Sequence, residues 1–266
     1  MFSVLTDTTS RQLEQAVALN HQELFFRNAI ARGGEIRTTG GLSYTYEGPD
    51  HQSMIAFPFL HDDEADGQLD EMMEWYRERP NQGIGCWSLD PPRPADLGDK
   101  LLQRGFQDGW RPCWMALDLG QINEAFAPSS QLQIVADNDL SLLEVKNLPY
   151  TGHHGAISAG LMRQGQGQEQ VQQFVAILKG KIVGHCAVFF TAGSFGVAGL
   201  YNVAVVPSAR GRGIGKALVT AACQYARDRG YRYAVLNGTG RRMYEQMGFR
   251  WVGDGFTWWW FPEKGK

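Results

Sequence analysis

The chain has 266 residues, which at roughly 150 residues per domain allows one large fold or two modest ones. A hydrophobic content of 43% is ordinary for a globular protein, but 32 glycines, about 12%, exceed the usual share of about 7%. A charged fraction of 20% and a net charge of −3 exclude a broadly basic nucleic-acid binder, an acidic disordered tail and a polybasic membrane anchor, so any role for positive charge must be local.

Taken in chain order, MFSVLTDTTSRQLEQ turns polar by residue 6 and lacks the apolar core of a signal peptide. Residues Arg11 to Ala31 read as a helix, Met54 to Leu60 as a strand, Leu69 to Arg79 as a helix and GCWSL as a strand. The DPPRP turn leads into a helix at PADLGDKLLQRGF, with Pro94 early in it and Asp96 in the first turn. The strand WRPCWMALDL closes this half, and the polar stretch Gly120 to Gln131 marks a boundary. Gln133 to Val135 is a short strand, and DNDLSLLEVKNL a helix capped by Asp137 or Asn138.

VQQFVAILKGKIVGHCAVFF reads as a hairpin around Lys179, Gly180 and Lys181. Ile182 to Ala209 contain no charged residue over 28 positions, yet their glycines, Asn202 and Pro207 indicate neighbouring buried strands rather than a membrane span. LYNVAVV is followed by SARGRGIG and by apolar positions spaced three and four apart from Ile214 to Tyr225, the pattern of an amphipathic helix. YRYAVLN is a strand, RRMYEQMGF a short helix and FTWWWF a final strand in which Trp258 to Trp260 serve packing. Each half ends with a helix, a Gly-Phe terminator (LLQRGF, YEQMGF) and a Trp-bearing strand, a weak internal repeat.

The four cysteines lie far apart, with no pair or Cys/His cluster at metal-ligand spacing, so neither a metal site nor a disulfide framework is expected and a cytoplasmic setting is the simplest. The segment Asn202 to Leu218 carries the chemistry. Its strand stops at Pro207, and a loop with Gly211, Gly213 and Gly215 opens into a helix. Backbone amides and the positive end of the helix dipole there favour a phosphate, and Arg210, Arg212 and Lys216 add charge. The P-loop pattern fails because Ala217 follows Lys216, and the dinucleotide fingerprint fails because Lys216 stands where its third glycine belongs.

The pattern R-x-x-G-x-G between a strand and a helix resembles the pyrophosphate motif of the GNAT superfamily of N-acetyltransferases. The resemblance runs from Leu132 to the C-terminus, with Asn237 at a strand end and Tyr244 opening YEQMGF in family order. It implies an α/β fold of two acyl-CoA N-acyltransferase-like domains in tandem, each a mixed, mostly antiparallel sheet flanked by helices. Residues 1–125 would be a degenerate domain without donor site, and 132–266 the catalytic domain binding acetyl-CoA, with no metal.

The resemblance further implies that Val203, Ala204 and Val205 lie on a splayed strand facing the pantetheine arm. Arg210, Gly211, Arg212, Gly213, Ile214, Gly215 and Lys216 would hold the pyrophosphate, with Asn237 as a further coenzyme contact. A primary amine of a small-molecule acceptor would attack the thioester directly, and Tyr244 would protonate the leaving thiolate. Where some relatives carry a glutamate on the strand before the asparagine, YRYAVLN has Arg232, so the base is Glu144, His153, His154, His185 or an ordered water. Tyr150, His153 and His154 are the acceptor-site candidates.

In the first half, His61 to Glu71 put Asp62, Asp63, Glu64, Asp66, Asp70 and Glu71 where the cationic loop should be, and Leu101 stands at the position matching Tyr244. That half is expected to buttress the other and contribute to its acceptor pocket. A non-catalytic acyl-CoA-binding sensor is the alternative. The expected partner is a small amine, with neither nucleic acid nor membrane, and no oligomeric state is read.

Overall fold

The first helix, α1 (Ser10–Ala31), starts where Thr9 and Gln12 cap each other. The Gln12 Oε1 accepts from the Thr9 amide at 2.8 Å, and the Thr9 hydroxyl accepts from the Gln12 amide at 3.4 Å. This reciprocal pair satisfies amides that the first turn leaves without helical partners. The computed structural model describes residues 4–6, 8–126, 131–138, 141–143, 148–149 and 170–262. These divide into two units: unit I comprises Met1–Asn20 and Trp114–Val252, and unit II comprises His21–Cys113 and Gly253–Lys266.

Unit II begins with the hairpin β1 (Glu35–Thr39) and β2 (Leu42–Tyr46), which sequence reading missed because β1 is largely exposed and shows no alternation. Strand β3 (Ser53–Ala56) is shorter than the expected Met54 to Leu60. Phe57 takes a left-handed φ of 50°, and Pro58 follows with no amide to donate to a ladder. Helix α2 (Ala65–Arg77) crosses over to β4 (Ile84–Leu89), which runs parallel to β3. Helix α3 (Leu97–Gln103) and the two-residue β5 (Gln107–Asp108) follow. The core of this unit centres on Tyr44, Tyr76, Trp75, Met72 and Leu69, and Leu101 is one of its buried members.

Unit I takes its strands from distant parts of the sequence. Trp114–Asp118 of β6 (Cys113–Asp118) pair antiparallel with β11, and β7 (Leu132–Ala136), β8 (Val171–Leu178), β9 (Lys181–Phe190) and β10 (Ala198–Val205) form an antiparallel series. Helix α4 (Ile214–Asp228) crosses from β10 to the parallel β11 (Tyr233–Asn237), and α5 (Arg241–Gln246) follows. Of the helix expected over DNDLSLLEVKNL, the described part is a 3₁₀ turn at Ser141–Leu143 whose Leu142 amide donates to Asp137 at 3.2 Å.

The last strand, β12 (Arg250–Trp260), begins in unit I and runs on into unit II, where Gly255–Trp260 pair with Ile84–Leu89 of β4. Trp258 is buried in the core of unit II and Trp260, two residues on and on the same face, packs part-buried against it, while Trp259 points to the other face. The units therefore depart from a division into residues 1–125 and 132–266 in chain order. WRPCWMALDL, expected to close the first half, closes unit I, and FTWWWF, expected to close the second, closes unit II. Among the described residues, no helix is long and apolar enough to cross a membrane.

Candidate functional site

Strands β10 and β11 pair only from Ala198↔Ala234 to Leu200↔Leu236. Beyond Leu200 they part, while β10 keeps its ladder with β9 on the other side. That ladder is interrupted: Tyr201 faces Ala187 and Ala204 faces His185, so three steps on β10 span two on β9. This is a bulge, and Asn202 inside it adopts a φ of 55°, a conformation asparagine tolerates better than most residues. Gly184 makes room for the bent strand, since a β-carbon there would lie 2.7 Å from the Ala204 carbonyl oxygen. The result is a wedge between β10 and β11 bordered by the backbone of Val203, Ala204 and Val205.

The wedge leads into the glycine loop. Pro207–Ala209 form a 3₁₀ turn, and the Arg210 side chain folds back to donate from Nε to the Val205 carbonyl at 3.1 Å. Gly211 and Gly213 have φ values of 74° and 76°, and among the described residues nothing lies within 4 Å of the place a β-carbon would occupy. Gly213 caps α4 without a side chain, so the first-turn amides of that helix receive no side-chain acceptor. Open space, uncapped amides and the helix dipole suit an anion of phosphate size. Gly215 packs on α5, where its missing β-carbon would meet the Met243 sulfur at 3.4 Å. The Ile214 side chain is buried in the core, leaving its backbone to the loop.

The three cations of this segment are not equivalent. Arg212 is exposed and makes no ion pair among the described residues. Lys216, expected to face a pyrophosphate, instead donates to Gln246 Oε1 at 2.7 Å and lies 4.2 Å above the Phe126 ring. Its charge is thus already solvated by protein groups. Asn237 ends β11 opposite Trp114, and its carbonyl accepts from the Thr239 amide at 3.1 Å.

Tyr244 stands on α5 with 6% of its surface exposed and its ring edge-on to Phe249 at 5.7 Å. Burial, with smaller contributions from the Cys186 and Cys223 thiols, holds its phenol well above the ordinary value, so it keeps its proton at neutral pH. Cys186, the β9 residue opposite the bulge, turns its sulfur to α4, where it lies 3.7 Å from the Leu218 carbonyl oxygen.

His185 is a satisfied strand histidine. Its Nε2 donates to the Pro149 carbonyl and its Nδ1 accepts from Gln173 Nε2 at 3.3 Å. Burial pushes its pKa down against the opposing pull of that carbonyl, so the neutral ring is favoured and neither nitrogen is left to take a proton. The other base and acceptor candidates, Glu144, Tyr150, His153 and His154, lie outside the described residues. Among the described residues no cluster of His, Cys, Asp or Glu could hold a metal ion.

Unit II shows why its own crossover lacks this machinery. At the start of α2, Asp66 bonds Lys100 at 2.6 Å and Arg104 at 3.0 Å, and Asp70 bonds Arg104 at 2.8 Å. These carboxylates tie α2 to α3, and Leu101 is a buried member of the core of unit II. Sequence reading missed one buried group near the wedge: Asn20, which bonds Tyr201 beside the bulge.

Residues 140–249 match the model of the Acetyltransferase (GNAT) family. Over 77 residues the chain is 36% identical to glucosamine 6-phosphate N-acetyltransferase of Trypanosoma brucei brucei, a match covering 27% of this chain and 52% of that protein. The chain thus spans about half the length of the curated relative it matches.

Among solved structures, a GCN5-related N-acetyltransferase from Kribbella flavida superposes with a TM-score of 0.67 at 15% identity, covering 94% of this chain and 95% of that one. A tandem GNAT protein from the clavulanic acid biosynthesis pathway gives a TM-score of 0.57 at 14% identity, covering 86% and 82%. The fold is that of the GCN5-related N-acetyltransferases, and the segment with the bulge, the glycine loop and Tyr244 is the part that matches the family by sequence.

Proposed function

We propose that the chain is an acetyl-CoA-dependent N-acetyltransferase that acetylates a primary amine of a small molecule. The observation that carries this reading is the wedge between β10 and β11 opening onto an uncapped helix with two left-handed glycines. The residues fit the donor: a β-carbon at Gly211 or Gly213 would fill the space a pyrophosphate needs, and none is there. Acetyl-CoA supplies an activated acetyl thioester.

The amides of Gly211 to Lys216 bind the pyrophosphate, and Arg212 adds the free charge. The backbone of Val203, Ala204 and Val205 borders the wedge, where an amide N–H stabilises negative charge developing on an acyl oxygen. Asn237, at the end of β11, is a further coenzyme contact. Tyr244, kept protonated by its burial, has a proton to give to a departing sulfur. The base comes from Glu144, His153, His154 or an ordered water, with His185 set aside by its own hydrogen bonds. Tyr150, His153 and His154 are proposed to shape the acceptor site. The similarity to a glucosamine 6-phosphate N-acetyltransferase supports a small amine such as an amino sugar.

We further propose a tandem arrangement in which unit II is a GNAT-like domain without a donor site. Both units share antiparallel strands, a crossover helix to a parallel strand, a short helix and an antiparallel closing strand, which supports the duplication. Titration calorimetry with acetyl-CoA, followed by thiol release against an amine panel that includes glucosamine 6-phosphate, tests the activity. Gly213→Glu is expected to abolish coenzyme binding, and Tyr244→Phe to keep binding while lowering turnover about 100-fold, the lower range for a lost general acid. Failure of the unaltered protein to bind any acyl-CoA sinks the proposal, and binding without turnover favours the sensor.

A further inference from the structure

We infer that Asn20, contributed by the first helix, is a positioning residue that sets the register of β10 and with it the place where the donor strand leaves β11; this rests on the proposed acetyl-CoA site. Asn20 is completely buried. Its Nδ2 is 3.1 Å from Thr191 Oγ1, 3.3 Å from the Phe189 carbonyl and 3.4 Å from the Val197 carbonyl. Its Oδ1 accepts the Tyr201 hydroxyl at 2.6 Å. One amide therefore ties together the end of β9, the start of β10 and the side chain next to the bulge. The same N-terminal segment makes a second bond to this hairpin, from the Leu5 amide to the Gly196 carbonyl at 3.1 Å.

The register argument comes from Gly199. A β-carbon at that position would lie 2.0 Å from Asn20 Oδ1, so the amide occupies space that no other residue type leaves open. Gly199 is the only residue of Ala198–Val205 without a β-carbon. A one-residue slip of β10 would turn its side chains to the opposite faces and bring Ala198 or Leu200 against the buried amide. Asn20 thus admits a single register.

That register matters because Tyr201 sits at the turning point. Leu200 is the last residue paired with β11, Tyr201 the last paired with β9 before the bulge, and Asn202 carries the left-handed φ. The Tyr201 hydroxyl is locked to Asn20 while its backbone opens the bulge, so the amide fixes where the Val203 and Ala204 backbone enters the wedge. Asn20 touches neither reacting atom nor coenzyme in this account. It acts through Tyr201.

Hydrogen exchange of the peptide spanning 197–205, together with calorimetric titration of coenzyme A, tests the inference on the full chain. Asn20→Ala is expected to speed exchange of that peptide at least 10-fold and to weaken coenzyme A binding about 10-fold. Tyr201→Phe, which keeps the ring, should produce a smaller change in the same two readouts and serves if Asn20→Ala does not fold. Leu13→Ala, another fully buried position of α1, controls for general destabilisation and should leave coenzyme affinity within twofold. Unchanged exchange and affinity in both clamp variants, or an equal loss of affinity in Leu13→Ala, would overturn the positioning role. If the unaltered protein binds no coenzyme A, the donor-site reading fails, and with it the functional meaning of the clamp, whatever the exchange data say about register.

Discussion

Glu47, buried in unit II with 1% of its surface exposed, should make stability fall as pH rises through neutrality. Its Oε2 accepts from Arg32 Nη1 at 2.9 Å and from a short contact with Asn28 Nδ2. Burial pushes its pKa up from 4.5 to about 7, outweighing Arg32 and the Asn28 hydrogen bond, which both pull it down. A folded-state pKa above the unfolded value means that the native protein holds the proton more tightly. The stability so contributed is fully present below pH 4.5 and is lost as pH rises through about 7. At 1.36 kcal/mol per pKa unit, the difference between 4.5 and about 7 is worth about 3 kcal/mol, a large part of a typical domain's stability of about 5–15 kcal/mol. Urea unfolding of the unaltered protein and of Glu47→Gln, followed from pH 4.5 to 8, isolates the effect. His51 and His185, whose pKa values burial lowers, give stability that is lost as pH falls and is common to both proteins. The unaltered protein should lose about 3 kcal/mol relative to the variant across this range. A difference that stays flat would mean that Glu47 is ionised throughout as the partner of Arg32, and would refute the reasoning.

Two further outcomes follow from side-chain partners. Arg212→Ala should weaken coenzyme A binding about fivefold, in line with roughly 1 kcal/mol for an exposed charge-assisted contact, whereas Lys216→Ala should change it less than twofold because Gln246 and Phe126 already hold that ammonium. Calorimetry at low and moderate salt compares them, and a larger loss for Lys216→Ala would reverse the assignment. His185→Leu leaves the Pro149 carbonyl without its donor and should cost about 1–3 kcal/mol in urea unfolding, yet keep any acidic limb of the pH–rate profile, the one on which a base titrates. Disappearance of that limb would restore His185 as a base.

The elements of the proposed donor site were legible because they are contiguous. Strand, proline, glycine loop and helix follow one another from Ala198 to Asp228, and the glycines announce backbone conformations that other residues resist. The fate of the closing strands was not legible. WRPCWMALDL and FTWWWF are both apolar strands after a Gly-Phe turn, and nothing local states which sheet each one joins. Pairing partners are decided by distant neighbours: Leu236 against Met115 in one case, and Trp258 against Cys86 in the other. The limits of β3 depended on one residue, Phe57, whose left-handed φ no hydrophobic pattern reveals.

Asn20 carried a weak signal that only the structure makes readable. Leu13, Ala16, Val17 and Asn20 recur at helical spacing and are all completely buried, so the asparagine occupies a core position on the buried face of its helix. A polar amide there costs free energy unless its donors and acceptor are met, and they are met by groups on β9, on β10 and in the turn between them, between 169 and 181 residues away. Strand β6 makes the same point on the sheet, since its pairing with β11 runs from Asp118↔Tyr233 to Trp114↔Asn237. Residues 132–266 therefore contain the glycine loop and Tyr244 but neither β6, the antiparallel partner of β11, nor the amide that registers β10. The proposed chemistry rests on residues from one half of the sequence, whereas the strand pairing and the buried amide around it draw on both.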